Sequence, residues 1–471
     1  MMLLYILLLS NVFLRVFTNK YNFLPRIFNI SDVFLVSLLL LFYIINKSGN
    51  NIKKYNINVL RYLFVFNVIM CFAIMLNSKY FYPPAALSQI VMWNEPIILF
   101  YIVGNLNINN LDVLKFKKIL IAIVMLEFII GVTQVPYYIS TGASEEIIGT
   151  FSGNAEQYTF FLMIGVYYLI GKCIYNSNFK IFNIFAIVCN IGLILLVDNK
   201  ASWLGIIVSI FTLMYYYSNI KQGSFKFAKY IIIFIVFVSS GIIFVQNNSG
   251  SIKKYGNLYA AIEKGELFNL GKIKGIRDIG TAYYQNPHMT FIGSGPGNFY
   301  SRSAGQFYNV SLDSLYINPL PVSKERMYKK SNSMAGVIEQ TNKKPFYLRH
   351  YKGDGEIYRI GSGQIDTPFS SMASLLGETG IIGTVVYLGI YIIAFKKCIK
   401  IMYRYSEDVD IFPLISAAVG LLIYITTISI YNNWLEAGRM TTVLWTIIGM
   451  ISIYDHNKKN NNTQNANYNK L

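Results

Sequence analysis

Apolar stretches long enough to cross a lipid bilayer recur along nearly the whole chain, and this recurrence limits the fold more than any other feature. A spanning helix needs roughly 20 apolar residues. Such runs fall at about 1–17, 31–46, 59–77, 83–104, 118–138, 157–174, 181–198, 201–218, 228–246, 370–395, 411–431 and 439–454. The run at 83–104 is interrupted by Pro83, Pro84, Glu95 and Pro96. Charged residues make up 14% of the chain, against about 25% in soluble domains, so there is too little polar surface to solvate a globule. In lipid each backbone amide must be satisfied within its own segment, which favours helices. The expected fold is therefore an all-α polytopic membrane protein with about 12 transmembrane helices. The opening "MMLLYILLLSNVFL" lacks a basic n-region and a small-residue cleavage site, so it reads as the first of these helices rather than a signal peptide.

A net charge of +18 could point to a nucleic-acid partner, but the distribution of the basic residues argues against it. Alternate loops carry Lys47, Lys53 and Lys54; Lys115, Lys117 and Lys118; Lys172 and Lys180; Lys221, Lys226 and Lys229; and Lys396, Lys397, Lys400 and Arg404. The loops between them are poor in basic residues, and 139–157 has none but contains Glu145 and Glu146. Basic loops stay in the cytoplasm, so this alternation predicts that both termini are cytoplasmic. The terminal "NKKNNNTQNANYNK" is expected to be a disordered polar tail over 456–471. Cys71, Cys173, Cys189 and Cys398 lie in or beside apolar runs, with no metal-binding spacing and no expected disulfide framework.

One segment differs from the rest: 247–367 is a polar loop of roughly 120 residues on the outer side, long enough to escape the charge rule. It divides the chain into helices over 1–246, a loop domain, and helices over 368–455. Within it, "GIRDIGTAYYQNP" (275–287) reads as a helical stretch ended before Pro287, followed by the glycine turn of "FIGSGPGNFY" (291–300). That turn has neither the Lys-Ser/Thr of a phosphate loop nor the βαβ setting of a dinucleotide fold, so a nucleotide is not its expected ligand. "FYLRHYKGDGEIYRIGSG" (346–363) reads as a β-hairpin turning at Gly353-Asp354, which makes the loop mixed α/β. Strand alternation puts His350 and Arg359 on one face and Arg349 on the other. Arg277 and Arg302 bracket the glycine turn, and arginine's planar fork suits phosphate oxygens. Other basic residues in the loop, such as those of "KERMYKK", read as solvated surface. Intramembrane carboxyls are also candidates for function; Glu378 opens an apolar helix, with Glu95 and Glu127 behind it. Glu436 and Arg439 are placed to pair with each other.

Four stretches together resemble the O-antigen polymerase and ligase family of bacterial envelope glycosyltransferases. "GTFSGNAEQYTFFLMIG" (149–165) is similar to the family's Gly-x-Phe-x-x-x-Asn lead into an apolar helix. "DNKASWLGI" (198–206) resembles its tight outer turn, with Lys200 in the basic position. "RDIGTAYYQNPHMTFIGSGPGNFYSR" (277–302) resembles its arginine, short helix, proline and Gly-x-Gly run, and "TPFSSMASLLGETGIIGTVVYLG" (367–389) its Glu-x-Gly-x-x-Gly segment. The resemblance spans residues 140–390 and departs from the pattern twice. Family ligases usually carry a histidine where this chain has Phe369-Ser370, which favours a polymerase. Many polymerases also place arginines in an earlier outer loop, but 139–157 has none.

The resemblance implies a bacterial inner-membrane enzyme with a large periplasmic loop. It would move a glycan from undecaprenyl pyrophosphate to a sugar hydroxyl of another lipid-linked repeat unit, during O-antigen or related surface polysaccharide synthesis. Its expected partners are that lipid-linked oligosaccharide, membrane lipid and a chain-length regulator protein; no cofactor or metal is expected. Cations would stabilise the pyrophosphate leaving group and a base would assist the acceptor hydroxyl. On this reading Arg277, Arg302, His350 and Glu378 are the catalytic candidates. Lys200, Arg349, Arg359 and His288 are the pyrophosphate contacts, with His288 and His350 alternatives for the base. A ligase acting on lipid A-core and a polysaccharide or lipid transporter stand as alternatives. A transporter usually has two related halves, and no internal repeat is seen.

Overall fold

The computed structural model describes residues 1–15, 17, 31–45, 54–78, 83–141, 147–151, 155–175, 180–197, 200–220, 279–280, 283–284, 286–299, 301, 303 and 370–468. Among the described residues it is all-helical: 86% of them are helix, and no strand occurs. The helices are α1 (Met2–Arg15), α2 (Ser31–Ile45), α3 (Lys54–Leu76), α4 (Pro83–Asn105), α5 (Asn110–Thr141), α6 (Ala155–Tyr175), α7 (Lys180–Leu196), α8 (Lys200–Ile220), the short α9 (His288–Ile292), α10 (Ser371–Arg404), α11 (Phe412–Ile428) and α12 (Gly438–Tyr468). Every expected apolar run is helical except 228–246, which lies outside the described residues, as does the expected hairpin at 346–363. Among the described residues, six helices are long and apolar enough to cross a membrane: those within α3, α4, α5, α6, α8 and α10. α1, α2, α7 and α11 are apolar but shorter.

α11 is apolar and buried around its whole circumference, so it packs on all sides, against α6, α8, α10 and α12. At its contact with α6 a Cβ on Gly420 would strike the Tyr167 ring, and small residues of this kind let membrane helices approach closely. α12 packs on α4, and α10 on α3 and α9. Peripheral helices instead turn large apolar side chains outward, such as Phe64, Phe72 and Met75 of α3, as a lipid-facing surface requires.

The connections gather at two ends of this bundle. At the lysine-bearing end Lys117 donates to the Asp410 carbonyl at 2.7 Å, and Asp455 is held by Arg404 and, at 2.7 Å, by Lys459. α12 continues through Tyr468, over most of the stretch expected as a polar tail. The Asp455–Lys459 pair sits one turn apart on the helix surface, and Asn457 donates to the Ile108 carbonyl at 2.8 Å, so the polar extension has partners of its own.

Candidate functional site

The opposite end carries the glycine turn. α9 begins just after Pro287 and stops at Gly293, and the chain then folds over the end of α10's first segment. Ser294 donates its backbone N–H to the Gly377 carbonyl at 2.9 Å, and Gly295 to the Glu378 carbonyl at 2.9 Å. The Glu378 side chain completes the seat. Its Oε2 accepts the Gly297 N–H at 2.8 Å, its Oε1 the Phe299 N–H at 3.0 Å, and the Ser301 side chain bonds it as well. Successive backbone N–H groups of this kind form an anion-binding nest. The group it holds is the protein's own carboxyl, fully buried.

Two glycines make this closure possible. Gly380 has φ +64°, which breaks α10 two residues after Glu378. A Cβ on Gly380 would stand 2.5 Å from the Ile292 nitrogen, so the Phe291–Ile292 backbone can lie here only against a glycine. Gly297 has φ +74°, and a Cβ there would stand 2.5 Å from the Ala85 backbone at the start of α4. The turn is thus wedged between α10 and α4. Asn77, at the end of α3, donates to the Gly293 carbonyl at 3.1 Å, and Tyr283 to the Leu376 carbonyl at 2.8 Å.

Of the eight catalytic and pyrophosphate-contact candidates, Glu378 and His288 can be located with their side chains. Glu378 seats the turn, and its oxygens are taken up by the Gly297 and Phe299 amides and Ser301. His288 is exposed at the start of α9, with Nε2 3.1 Å from Asn77 Oδ1. Lys200 is the first residue of α8; its side chain lies outside the described residues. Two residues on, Ser202 Oγ accepts the Tyr424 hydroxyl of α11 at 2.8 Å. Arg277, Arg302, Arg349, His350 and Arg359 also lie outside the described residues. The residues on either side of Arg302 are fixed: Ser301 and Ser303 are buried, and the Ser303 N–H meets Gln89 Oε1 of α4 at 3.3 Å.

Further side-chain contacts hold turns at this end of the bundle. Glu127 of α5 accepts the Thr150 N–H at 2.9 Å and its hydroxyl at 2.5 Å, while Gln134 accepts the Ile148 and Gly149 N–H groups at 2.9 Å each. The segment 429–438, between α11 and α12, is a hub of which sequence reasoning singled out only Glu436, beside Arg439. Asn432 donates to Glu156 at the start of α6 at 2.8 Å, and Leu435 N–H donates to Ser371 at 3.0 Å. Ser370, which caps α10 through the Ala373 N–H at 3.1 Å, also donates to the Ser429 carbonyl at 3.2 Å. The available signal was composition: Asn432, Asn433, Glu436 and Arg439 crowd a connection between two apolar helices. Contacts therefore tie the four family-like stretches to one end of the bundle: the first to 429–438 through Glu156, the second to α11 through Ser202, and the third and fourth to each other through Glu378.

No family model matches the chain, and no curated protein matches it in sequence.

Proposed function

We propose that this chain is a membrane glycosyltransferase of the O-antigen polymerase type. It transfers a glycan from undecaprenyl pyrophosphate to a sugar hydroxyl of another lipid-linked repeat unit. The observation that carries this reading is the seat of the 293–303 turn on Glu378, which fixes the backbone on both sides of Arg302 at the bundle end shared with the 147–151 turn and the start of α8. A lipid-linked substrate stays in the bilayer while its pyrophosphate and sugars project from it. A cation held at the mouth of a helix bundle meets that phosphate as the leaving group gains charge.

In this reading Glu378 is a positioning residue rather than the base. Arg302 and Arg277 hold the pyrophosphate, Lys200, Arg349 and Arg359 add charge around it, and His350 or His288 assists the acceptor hydroxyl. The C1–oxygen bond to pyrophosphate breaks, and the leaving oxygen keeps the electron pair. The acceptor oxygen bonds C1, and the hydroxyl proton passes to the base. The finer topology belongs to the same proposal: about twelve spans in a bacterial inner membrane, both termini cytoplasmic, and a mixed α/β periplasmic loop over 247–367.

Purified protein in proteoliposomes, supplied with undecaprenyl-pyrophosphate-linked repeat units, tests it. Lipid-linked polymer and released undecaprenyl pyrophosphate are expected, and both should be lost in Arg302→Lys, which cannot make the bidentate contact. Unextended repeat units with wild-type protein would overturn the polymerase reading.

A further inference from the structure

Asp32 of α2, Glu95 of α4 and Arg439 of α12 are buried together inside the bundle, at 8%, 5% and 4% exposure, and their charges act on one another. Gly438 marks where they meet. A Cβ on it would stand 3.3 Å from Asp32 Oδ2 and 3.5 Å from Glu95 Oε2, so both carboxyl groups turn an oxygen toward the same glycine. The second oxygen of Asp32 accepts the Val33 N–H at 3.1 Å. The second oxygen of Glu95, Oε1, is buried and has no hydrogen-bond partner among the described residues.

Among the described residues, the surroundings do not balance this charge. α1 offers the neutral Asn11, which donates to Thr442 of α12 at 2.9 Å, and α3 offers the neutral Asn67, which pairs with Asn94. α10 brings Tyr387, which donates to the Trp93 carbonyl at 3.3 Å. The nearby 429–438 segment adds another buried acid, Glu436, whose charge acts on Glu378. Two carboxylates facing one guanidinium leave a net negative charge in a low-dielectric interior, where unbalanced charge is costly. A buried acceptor without a donor adds to that cost.

We propose that Glu95 binds a proton beside Asp32, making the junction of α2, α4 and α12 a protonation site separate from the Glu378 seat. The proton cancels the excess charge left by Arg439 and turns a bare carboxylate into a neutral acid. Its release restores that charge to the packed interface, so occupancy links pH to the packing of these three helices. The site does not depend on the glycan-transfer reading.

Infrared spectroscopy of the purified full chain in detergent tests it. The wild-type minus Glu95→Gln difference spectrum should contain one protonated-carboxyl C=O stretch at neutral pH. The stretch should shift in heavy water and weaken about tenfold per pH unit beyond its midpoint. Asp32→Asn should remove the same band, because Glu95 then faces Arg439 alone as a carboxylate; it also serves as the reading if Glu95→Gln does not fold. Carboxylate bands alone at neutral pH, or a protonated band that survives in the variants, would overturn the proposal. A band that disappears when sodium replaces potassium would overturn it in favour of a metal cation.

Discussion

Glu378 sits where an external anion would sit in a glycine-rich nest. A buried carboxyl group is tolerated there because two backbone N–H groups and a hydroxyl replace the water it gives up. Glu378→Ala leaves both N–H groups buried without an acceptor, and an expected loss of about 2–5 kcal/mol follows. Glu378→Gln keeps one acceptor oxygen but turns an NH2 toward the other amide, so a smaller loss is expected. Thermal unfolding of the purified variants in detergent checks that order. Gly297→Ala strains the turn in a second way, through φ +74° and contact with Ala85, and about 1–3 kcal/mol is expected from the backbone alone. At this scale the sequence was only partly legible. The glycines and the glutamate were visible as motifs, and the arginines around the turn as candidates. The bond between motifs 81 residues apart was not, since no local period encodes it.

Among the elements, the apolar helices were the most legible, because lipid imposes a length and a composition on each one. Breaks inside them were less so. α10 runs from Ser371 to Arg404 as one apolar stretch, and its kink at Gly380 depends on Phe291 and Ile292 arriving from a distant loop. The C-terminal part of α12 was hidden for a different reason. Its asparagine-rich composition reads as a tail, and the groups that meet its start, Arg404 at Asp455 and the Ile108 carbonyl at Asn457, belong to other parts of the chain. Asp455, just past the apolar run, lets pH test that anchoring. Burial opposes its charge, but hydrogen bonds from Lys459 and Arg404 outweigh this and hold its carboxyl below the usual range. A lowered carboxyl stabilises the fold at pH above its unfolded value, and that contribution fades as pH falls through the folded one. Asp455→Asn should therefore cost about 1 kcal/mol at neutral pH, with the gap from wild type closing in acid. Melting temperatures measured across acidic and neutral pH check it.

Across the whole molecule, the two ends of the bundle differ in chemistry. One gathers lysines and ion pairs; the other gathers glycine turns, buried glutamates and the 429–438 hub. The proposed orientation places the first in the cytoplasm. An impermeant thiol reagent applied to intact cells should then modify Tyr431→Cys, while Lys458→Cys should react only after the membrane is opened. The reverse pattern would invert the topology. Extension of lipid-linked glycans at the hub end is tested most directly by the surface polysaccharide of cells lacking the gene. Gel electrophoresis is expected to show a single capped repeat unit in place of the ladder, with the ladder restored by the wild-type chain and absent with Arg302→Lys. An unchanged ladder in the deletion strain would contradict the account.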